Sequence, residues 1–176
     1  KKVYYDETLG RAVSKFIPAE QLVVPYETSD LDSCPNITQV IRMSLNDLRK
    51  KQVSGFYLDL PVIPAQEELN SVDDEINRID GLSPSQVDYD CTILECHVDL
   101  DLEGYEDVDD NGEPTGIKVP YVVTISQDNG QILAIRRNYN EDDELKRKIQ
   151  YFVHFKFLPG FGFYGLGLIH TIGGLS

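Results

Sequence analysis

Between residues 91 and 139 the chain carries three segments in which apolar and polar residues alternate, and this pattern restricts the fold more than any other feature. The segments read "CTILECHVDLDL", "IKVPYVVTIS" and "QILAIRRNY". Alternation with a period of two is typical of strands that bury one face. Asn129-Gly130 lies between the last two segments and signals a two-residue type I′ hairpin turn. We therefore predict an antiparallel meander in which Ile125 lies opposite Ala134.

The first 60 residues read as short strands followed by a helix. Runs rich in strand-forming residues occur at Ala12–Ile17, Leu22–Pro25 and Thr38–Met43, and turn residues separate them. Ser44 has the character of a helix N-cap, and Gly55 that of the residue that ends a helix. The sequence therefore predicts one helix between these two residues.

Two further elements complete the predicted fold. Leu69, Val72, Ile76 and Ile79 recur at helical spacing before Gly81 and predict a second helix. The run "YFVHFKF", residues 151–157, predicts a last strand. A length of 176 residues suits one domain. We expect a single α+β domain over residues 1–176, with a mixed, largely antiparallel sheet and two or three short helices.

The charge of the chain excludes one class of function. It holds 30 acidic and 16 basic residues, for a net charge of −14. A protein that grips nucleic acid tightly needs a basic surface that displaces counterions. Residues 157–176 form the longest uncharged stretch, but six glycines and one proline make it a poor membrane helix. We expect neither tight nucleic-acid binding nor a membrane partner.

One acidic segment partly matches a calcium-binding motif. Four residues of "DVDDNGEPTGIK" fall at positions 1, 3, 5 and 6 of an EF-hand loop: Asp107, Asp109, Asn111 and Gly112. Position 12 should be a glutamate and is Lys118 instead. Clustered Asp, Asn and Gly are also what a turn requires. We predict a solvated hairpin loop without a metal site, and keep a calcium-responsive β-rich binding module as the alternative function.

Cysteine and histidine residues give no pattern of catalysis or metal binding. The chain has three cysteines, Cys34, Cys91 and Cys96, which is an odd number. A structural zinc site usually needs two pairs of ligands, and no second pair accompanies Cys91 and Cys96. His97, His154 and His170 lie in strand-like or apolar segments and are interpreted as core or interface residues. No G-x-S-x-G motif occurs. We predict that the protein is not an enzyme and holds no cofactor.

The segment Gly160–Gly165, "GFGFYG", matches the dinucleotide-binding pattern G-x-G-x-x-G. A Rossmann turn requires a parallel βαβ unit, whereas the preceding pattern predicts an antiparallel sheet. Phe161, Phe163 and Tyr164 would also crowd a pyrophosphate. We therefore interpret the glycines as a close turn among aromatic side chains that leads into a helix over 166–176. The apolar residues there lead us to expect a longer parent chain.

The sequence resembles the portal proteins of tailed bacteriophages and their prophages. The most specific part is "YFVHFKFLPGFGFYGLGLIHTIGGLS", residues 151–176. Residues 19–57, 116–126 and 132–139 carry further likeness. The resemblance spans nearly the whole chain and is weakest over residues 61–95 and in the acidic loop, residues 99–113.

This resemblance implies a structural role. Portal proteins form a ring, commonly a dodecamer, at one vertex of the capsid. Genomic DNA enters through the ring, driven by a separate terminase, and leaves through it, without sequence-specific binding. The implied partners are other copies of the parent chain, the capsid and the terminase, in the virion and, during assembly, in the host cytoplasm. The chain would be the wing-type region that precedes the first stem helix, with 166–176 as the start of that connection.

Overall fold

The computed structural model describes residues 1–6, 9–61, 75, 78, 79, 91–109, 111–160, 162–167 and 173. Over these residues the protein is an α+β fold with two antiparallel sheets, an α-helix and a 3₁₀ turn. This confirms the predicted fold class. None of the helices described could span a bilayer.

The strands form one two-stranded and one five-stranded sheet. The elements are β1 (Lys2–Asp6), β2 (Arg11–Lys15), a 3₁₀ turn (Ala19–Gln21), β3 (Leu22–Val23), β4 (Asn36–Met43), α1 (Leu45–Val53), β5 (Cys91–Leu100), β6 (Val119–Ser126) and β7 (Ile132–Arg137). Strands β1 and β2 pair with each other, and the larger sheet has the order β3-β4-β5-β6-β7. Neighbours in the sheet are therefore neighbours in the strand sequence, as a meander requires.

The chain forms two compact units. Unit 1 comprises Lys1–Gln39, Cys96–Val122 and Arg136–Ser176, and unit 2 comprises Val40–Glu95 and Val123–Ile135. Each has its own buried cluster. That of unit 1 contains Leu31, Cys34, Ile37, Phe152 and Phe163, and that of unit 2 contains Met43, Leu48, Tyr57, Cys91, Ile93, Leu133 and Ala134. The assignment of residues 1–176 to one domain stays a prediction.

Helix α1 begins and ends where the sequence predicts. The Ser44 Oγ accepts a hydrogen bond from the Asp47 N–H at 3.2 Å, which satisfies one of the free donors of the first turn. Gly55 follows the helix with a φ of +74°, a conformation that favours glycine. The helix buries Leu48 in the unit 2 cluster.

The turn between β6 and β7 differs from the prediction. The Ser126 N–H donates to the Gln131 carbonyl at 2.9 Å, so four residues form the turn and the pairing next to it is shifted. Gly130 has a φ of +67°, but Asn129 is not among the described residues with positive φ, as a type I′ turn would require. The Asn129 Oδ1 instead accepts the Gln131 N–H at 3.0 Å. This side-chain bond stabilises a different turn, and the predicted pairing of Ile125 with Ala134 was wrong.

Residues 151–157 do not form the predicted strand. The segment makes a single antiparallel bridge, between Phe152 and Lys2, flanked by bonds from Val3 N–H to the Tyr151 carbonyl and from Val153 N–H to the Lys1 carbonyl. These backbone contacts involve the first three residues of the chain. The pairing is therefore too short for a strand, although the alternating residues suit one.

Two predicted helices fall largely outside the described residues. Within the segment predicted from Leu69 to Ile79, the described residues Glu75, Arg78 and Ile79 are helical. Within 166–176, Leu166 is in a bridge with Leu158, and beyond Gly167 only Gly173 is described.

Candidate interaction surface

Residues 151–167, here called the aromatic segment, include several exposed apolar side chains. Phe155 is 83% exposed and Phe157 is 72% exposed. Val153, Tyr164 and Leu166 are also exposed, and these five side chains are here called the aromatic surface. Concentrated exposed apolar side chains mark interaction sites more often than isolated ones do. The aromatic surface is therefore the leading candidate for a functional site in unit 1.

Buried neighbours in the same segment hold this surface in place. Phe152 and Phe163 belong to the buried cluster of unit 1. Phe152 also contacts the buried His97 ring edge-on, with centroids 5.0 Å apart. The exposed side chains thus extend from a backbone that is anchored on both sides by core residues. His97 is a core residue, as the sequence predicts.

Two polar residues tie the segment down further. The Tyr164 hydroxyl donates to the Leu22 carbonyl at 2.7 Å. The His154 ring stacks on Phe163 with centroids 4.1 Å apart and 18° between the planes. Partial burial, and then the nearby charge of Lys156, lower the pKa of His154. Because the lowered pKa favours the neutral ring, the stack is expected to hold an uncharged histidine at neutral pH.

The glycines close the segment into a tight turn. Leu158 and Leu166 form an antiparallel bridge, and the Leu166 N–H donates to the Leu158 carbonyl at 2.9 Å. Gly162, inside this turn, has a φ of +87°. A Cβ at Gly165 would lie 2.8 Å from the Leu158 carbonyl oxygen, closer than a side chain tolerates. The pattern G-x-G-x-x-G thus has a structural reason, which is the close turn that the sequence predicts.

The acidic loop, residues 99–113, is organised by its own side chains. The Asp109 Oδ1 accepts hydrogen bonds from the N–H groups of Asn111 and Glu113, both at 2.9 Å. The bond from the Glu113 backbone is the main cause of the lowered pKa of Asp109. Gly112 completes the turn with a φ of +83°. The carboxylate of Asp109 therefore serves the turn.

The other EF-hand-like aspartate is also engaged. The Asp107 Oδ2 accepts from the Thr115 hydroxyl at 2.7 Å. Its Oδ1 forms an ion pair with Lys146, and the Asp107 side chain is 8% exposed. No group of three or more His, Cys, Asp or Glu residues that could hold a metal ion occurs in the described part of the chain. The loop has the geometry of a hairpin, and the predicted absence of a metal site stays a prediction.

The cysteines are thiols in separate environments. The Cys34 Sγ donates to the Asn36 carbonyl at 2.9 Å, and the Cys91 Sγ to the Met43 carbonyl at 3.2 Å. The Thr38 hydroxyl lies 3.6 Å from the Cys96 Sγ. All three are free of disulfides. Each thiol thus lies within hydrogen-bonding distance of a backbone carbonyl or a side-chain hydroxyl.

Sequence reasoning missed the contacts that join distant parts of unit 1. Nothing in the local pattern indicates that Tyr164 reaches Leu22 or that Lys146 pairs with Asp107. Lys146 has a φ of +46°, which is unusual for a residue with a side chain. His170, which was interpreted as a core or interface residue, lies outside the described residues.

Comparison with known proteins assigns the chain to no family. No protein-family model matches it, and no curated protein matches it significantly. The functional interpretation therefore depends on the aromatic surface and on the resemblance carried by residues 151–176.

Proposed function

We propose that this chain is part of a subunit of a bacteriophage portal, the ring through which genomic DNA is packaged and ejected. In this role it is a structural component and not an enzyme. The observation that carries the proposal is the aromatic surface, which lies in the segment that most resembles portal proteins. Its occupant is another copy of the parent chain.

The exposure of the aromatic surface favours a contact between subunits. Phe155 and Phe157 are each more than 70% exposed. Fully burying such a side chain contributes about 1.5–3 kcal/mol. Two phenylalanines, with Val153 and Leu166 beside them, could therefore supply much of the free energy of a contact between copies.

The anchoring of the segment favours the same conclusion. Binding costs less when the contacting backbone is already ordered. Phe152 and Phe163 fix this backbone in the unit 1 core, and the Tyr164 hydroxyl bonds to Leu22. A prearranged surface suits an assembly in which the same contact repeats around a closed ring.

The negative net charge of the chain is consistent with a channel through which DNA passes without being bound. A net charge of −14 repels phosphates. An acidic channel wall would therefore form no ion pairs with the phosphate backbone of a moving duplex. The proposed partners are accordingly the neighbouring subunits, the capsid and the terminase, in the virion and, during assembly, in the host cytoplasm. A calcium-responsive module is less well supported, because Asp107 and Asp109 already serve an ion pair and a turn.

The proposal is tested by removing the aromatic surface from the longer chain to which we assign this sequence. The variant Phe155→Ser/Phe157→Ser should lower the assembled fraction in mass photometry at least tenfold, because a loss of about 1.4 kcal/mol per contact corresponds to that factor. The control is Tyr26→Ser, since Tyr26 is 100% exposed but lies outside the segment. Equal assembly of all three proteins would contradict the proposal.

A further inference from the structure

The aromatic surface carries positive charge as well as apolar side chains. Residues 151–176 contain one lysine and no acid. That residue, Lys156, donates from its Nζ to the Gly162 carbonyl at 2.8 Å, within the same turn. The Lys1 carbonyl accepts from the Val153 N–H at 2.8 Å, so the exposed Lys1 lies beside the aromatic surface. The surface is thus a basic exception on a chain with a net charge of −14.

These charges decide which face of a neighbouring copy the aromatic surface can meet. Pairing two aromatic surfaces would bring Lys1 and Lys156 of one copy close to those of the other, and like charges across an interface oppose association. A surface that binds its own equivalent also closes a dimer, whereas a larger ring needs two different surfaces on each copy. The aromatic surface therefore favours a different surface that is acidic and has exposed apolar side chains.

The acidic loop, residues 99–113, has both properties. It holds eight acids and no base. Tyr105 is 68% exposed and Val108 is 54% exposed. Asp101 and Glu103 are exposed and form no ion pair within the part of the chain that the structure describes. Tyrosine is also among the residues enriched at the centre of protein interfaces. The loop therefore complements the aromatic surface in charge and shares its apolar character.

The backbone of Tyr105 is held in position by unit 1. The Tyr105 N–H donates to the Leu102 carbonyl at 2.9 Å. Its carbonyl accepts from the hydroxyl of the buried Tyr121 at 3.1 Å. The ion pair between Lys146 and Asp107 fixes the same loop two residues further on. Because this backbone is already ordered, a contact through Tyr105 costs less conformational entropy than a contact through an unanchored loop would.

A second acidic segment matches the aromatic surface less well. Residues 141–144 are four consecutive acids, and Leu145 beside them is 76% exposed. However, Glu141 pairs with Arg137 and Asp143 pairs with Arg147. Three bases also follow directly, at residues 146–148. Most of the negative charge there is compensated within the same copy, so the acidic loop is the better partner.

We propose that the aromatic surface of one copy docks on the acidic loop of the next copy. The inference rests on the proposed function, and it names the partner surface for the same site. In this contact the exposed phenylalanines pack against Tyr105, and Lys156 faces Asp101 and Glu103. Each copy then presents one surface to each of its two neighbours, which is the head-to-tail contact that can close into a ring.

A series of charge reversals tests the contact in the longer chain to which we assign this sequence. Lys1→Glu/Lys156→Glu reverses the charge beside the aromatic surface, and Asp101→Lys/Glu103→Lys reverses two charges of the acidic loop. Each pair alone should weaken self-association about tenfold in sedimentation velocity at low salt, because like charges then face each other. The variant with all four substitutions keeps the wild-type net charge and should recover the association, since opposite charges meet again.

Tyr105→Ser tests the apolar part of the contact without changing the charge. It should weaken self-association about tenfold. The matched control is Tyr26→Ser, which removes a tyrosine that is 100% exposed and lies outside both surfaces, and it should leave association unchanged. Circular dichroism verifies that each variant is folded, and Tyr105→Ser decides the question if a charge reversal prevents folding.

Two results would overturn the docking contact: equal association of the wild type and both charge reversals, or no recovery in the variant with four substitutions. The proposed function would still hold in either case if Phe155→Ser/Phe157→Ser lowers assembly. If that phenylalanine variant assembles like the wild type, the proposed function is wrong and the docking contact is wrong with it.

Discussion

The aromatic segment and the acidic loop are both turns of unit 1 that contain a glycine with positive φ, yet they are stabilised in opposite ways. Gly162 and Gly112 have φ values of +87° and +83°. In the acidic loop, the Asp109 carboxylate bonds to the backbone of Asn111 and Glu113, two and four residues away. In the aromatic segment, Phe163 is held by the core, and Tyr164 bonds to Leu22, 142 residues away.

This difference shows what each turn can do. A turn whose backbone N–H groups are hydrogen-bonded by side chains of the same turn can keep its conformation when its surroundings change. A turn that depends on distant contacts holds its exposed residues in a fixed position relative to the core. The aromatic segment therefore suits a contact that needs a fixed surface, whereas the turn around Asp109 keeps its conformation through its own side chain, although Asp107 in the same loop is tied to Lys146.

The largest expected effect comes from removing a core anchor of the aromatic segment. Phe163→Ala deletes a side chain that is 5% exposed and should destabilise the protein by about 3–5 kcal/mol. Phe157→Ala is the matched control, because Phe157 is 72% exposed. Urea denaturation should show a clear loss for the first variant and almost none for the second. Similar midpoints would mean that the segment is not anchored through Phe163.

A smaller effect is expected from the glycines of the same turn. Gly165→Ala places a Cβ 2.8 Å from the Leu158 carbonyl oxygen, and such overpacking costs about 1–3 kcal/mol. Gly162→Ala has open space around its Cβ but a positive φ, and should cost about 1–2 kcal/mol through backbone strain alone. Thermal unfolding measures both. A Gly165→Ala variant as stable as the wild type would show that the Leu158–Leu166 turn is looser than described.

In the acidic loop, the expected effect is local and depends on pH. The folded-state pKa of Asp109 is lowered, so its contribution is present above the ordinary carboxyl pKa and is lost as pH falls through the lowered value. Asp109→Ala should accelerate amide exchange of Glu113 roughly tenfold at neutral pH. It should leave the exchange of the Tyr164 amide unchanged. Asp101→Ala is the control, and equal exchange in both variants would argue against the Asp109 turn.

The smallest expected effect is the heat of calcium binding to the acidic loop. Asp107 is paired with Lys146, and Asp109 bonds to the backbone of its own turn, so binding would have to break these contacts. Calorimetry with calcium should show no binding tighter than about 1 mM, the weak end of the range for calcium modules. Tighter binding that is lost in Asp109→Ala would restore the calcium-responsive alternative.

The sequence predicted best those features that neighbouring residues determine. Ser44 and Gly55 bound α1 as expected, because a cap is a local hydrogen bond and a local backbone conformation. Alternation likewise located β5 to β7, since a strand with one buried face must alternate. The acidic loop was correctly interpreted as a turn for the same reason.

One of the mispredicted features depends on a distant partner, and the other on a side-chain bond within the turn itself. Residues 151–157 alternate like a strand, but in the described part of the chain their backbone pairs with Lys1–Val3 through a single bridge. At Asn129 the side chain bonds to Gln131, which favours a longer turn. The glycine pattern predicted a close turn, but no local signal indicated that Phe155 and Phe157 would remain exposed. The candidate surface could therefore be identified only from the structure.

Electron microscopy of the longer protein that we assign to this sequence tests the central claim most directly. If the aromatic surface is a contact between portal subunits, particles of the wild type should show a closed ring with a central channel. The variant Phe155→Ser/Phe157→Ser should show few or none. A wild-type protein that remains monomeric, or that forms particles without a channel, would contradict the assignment.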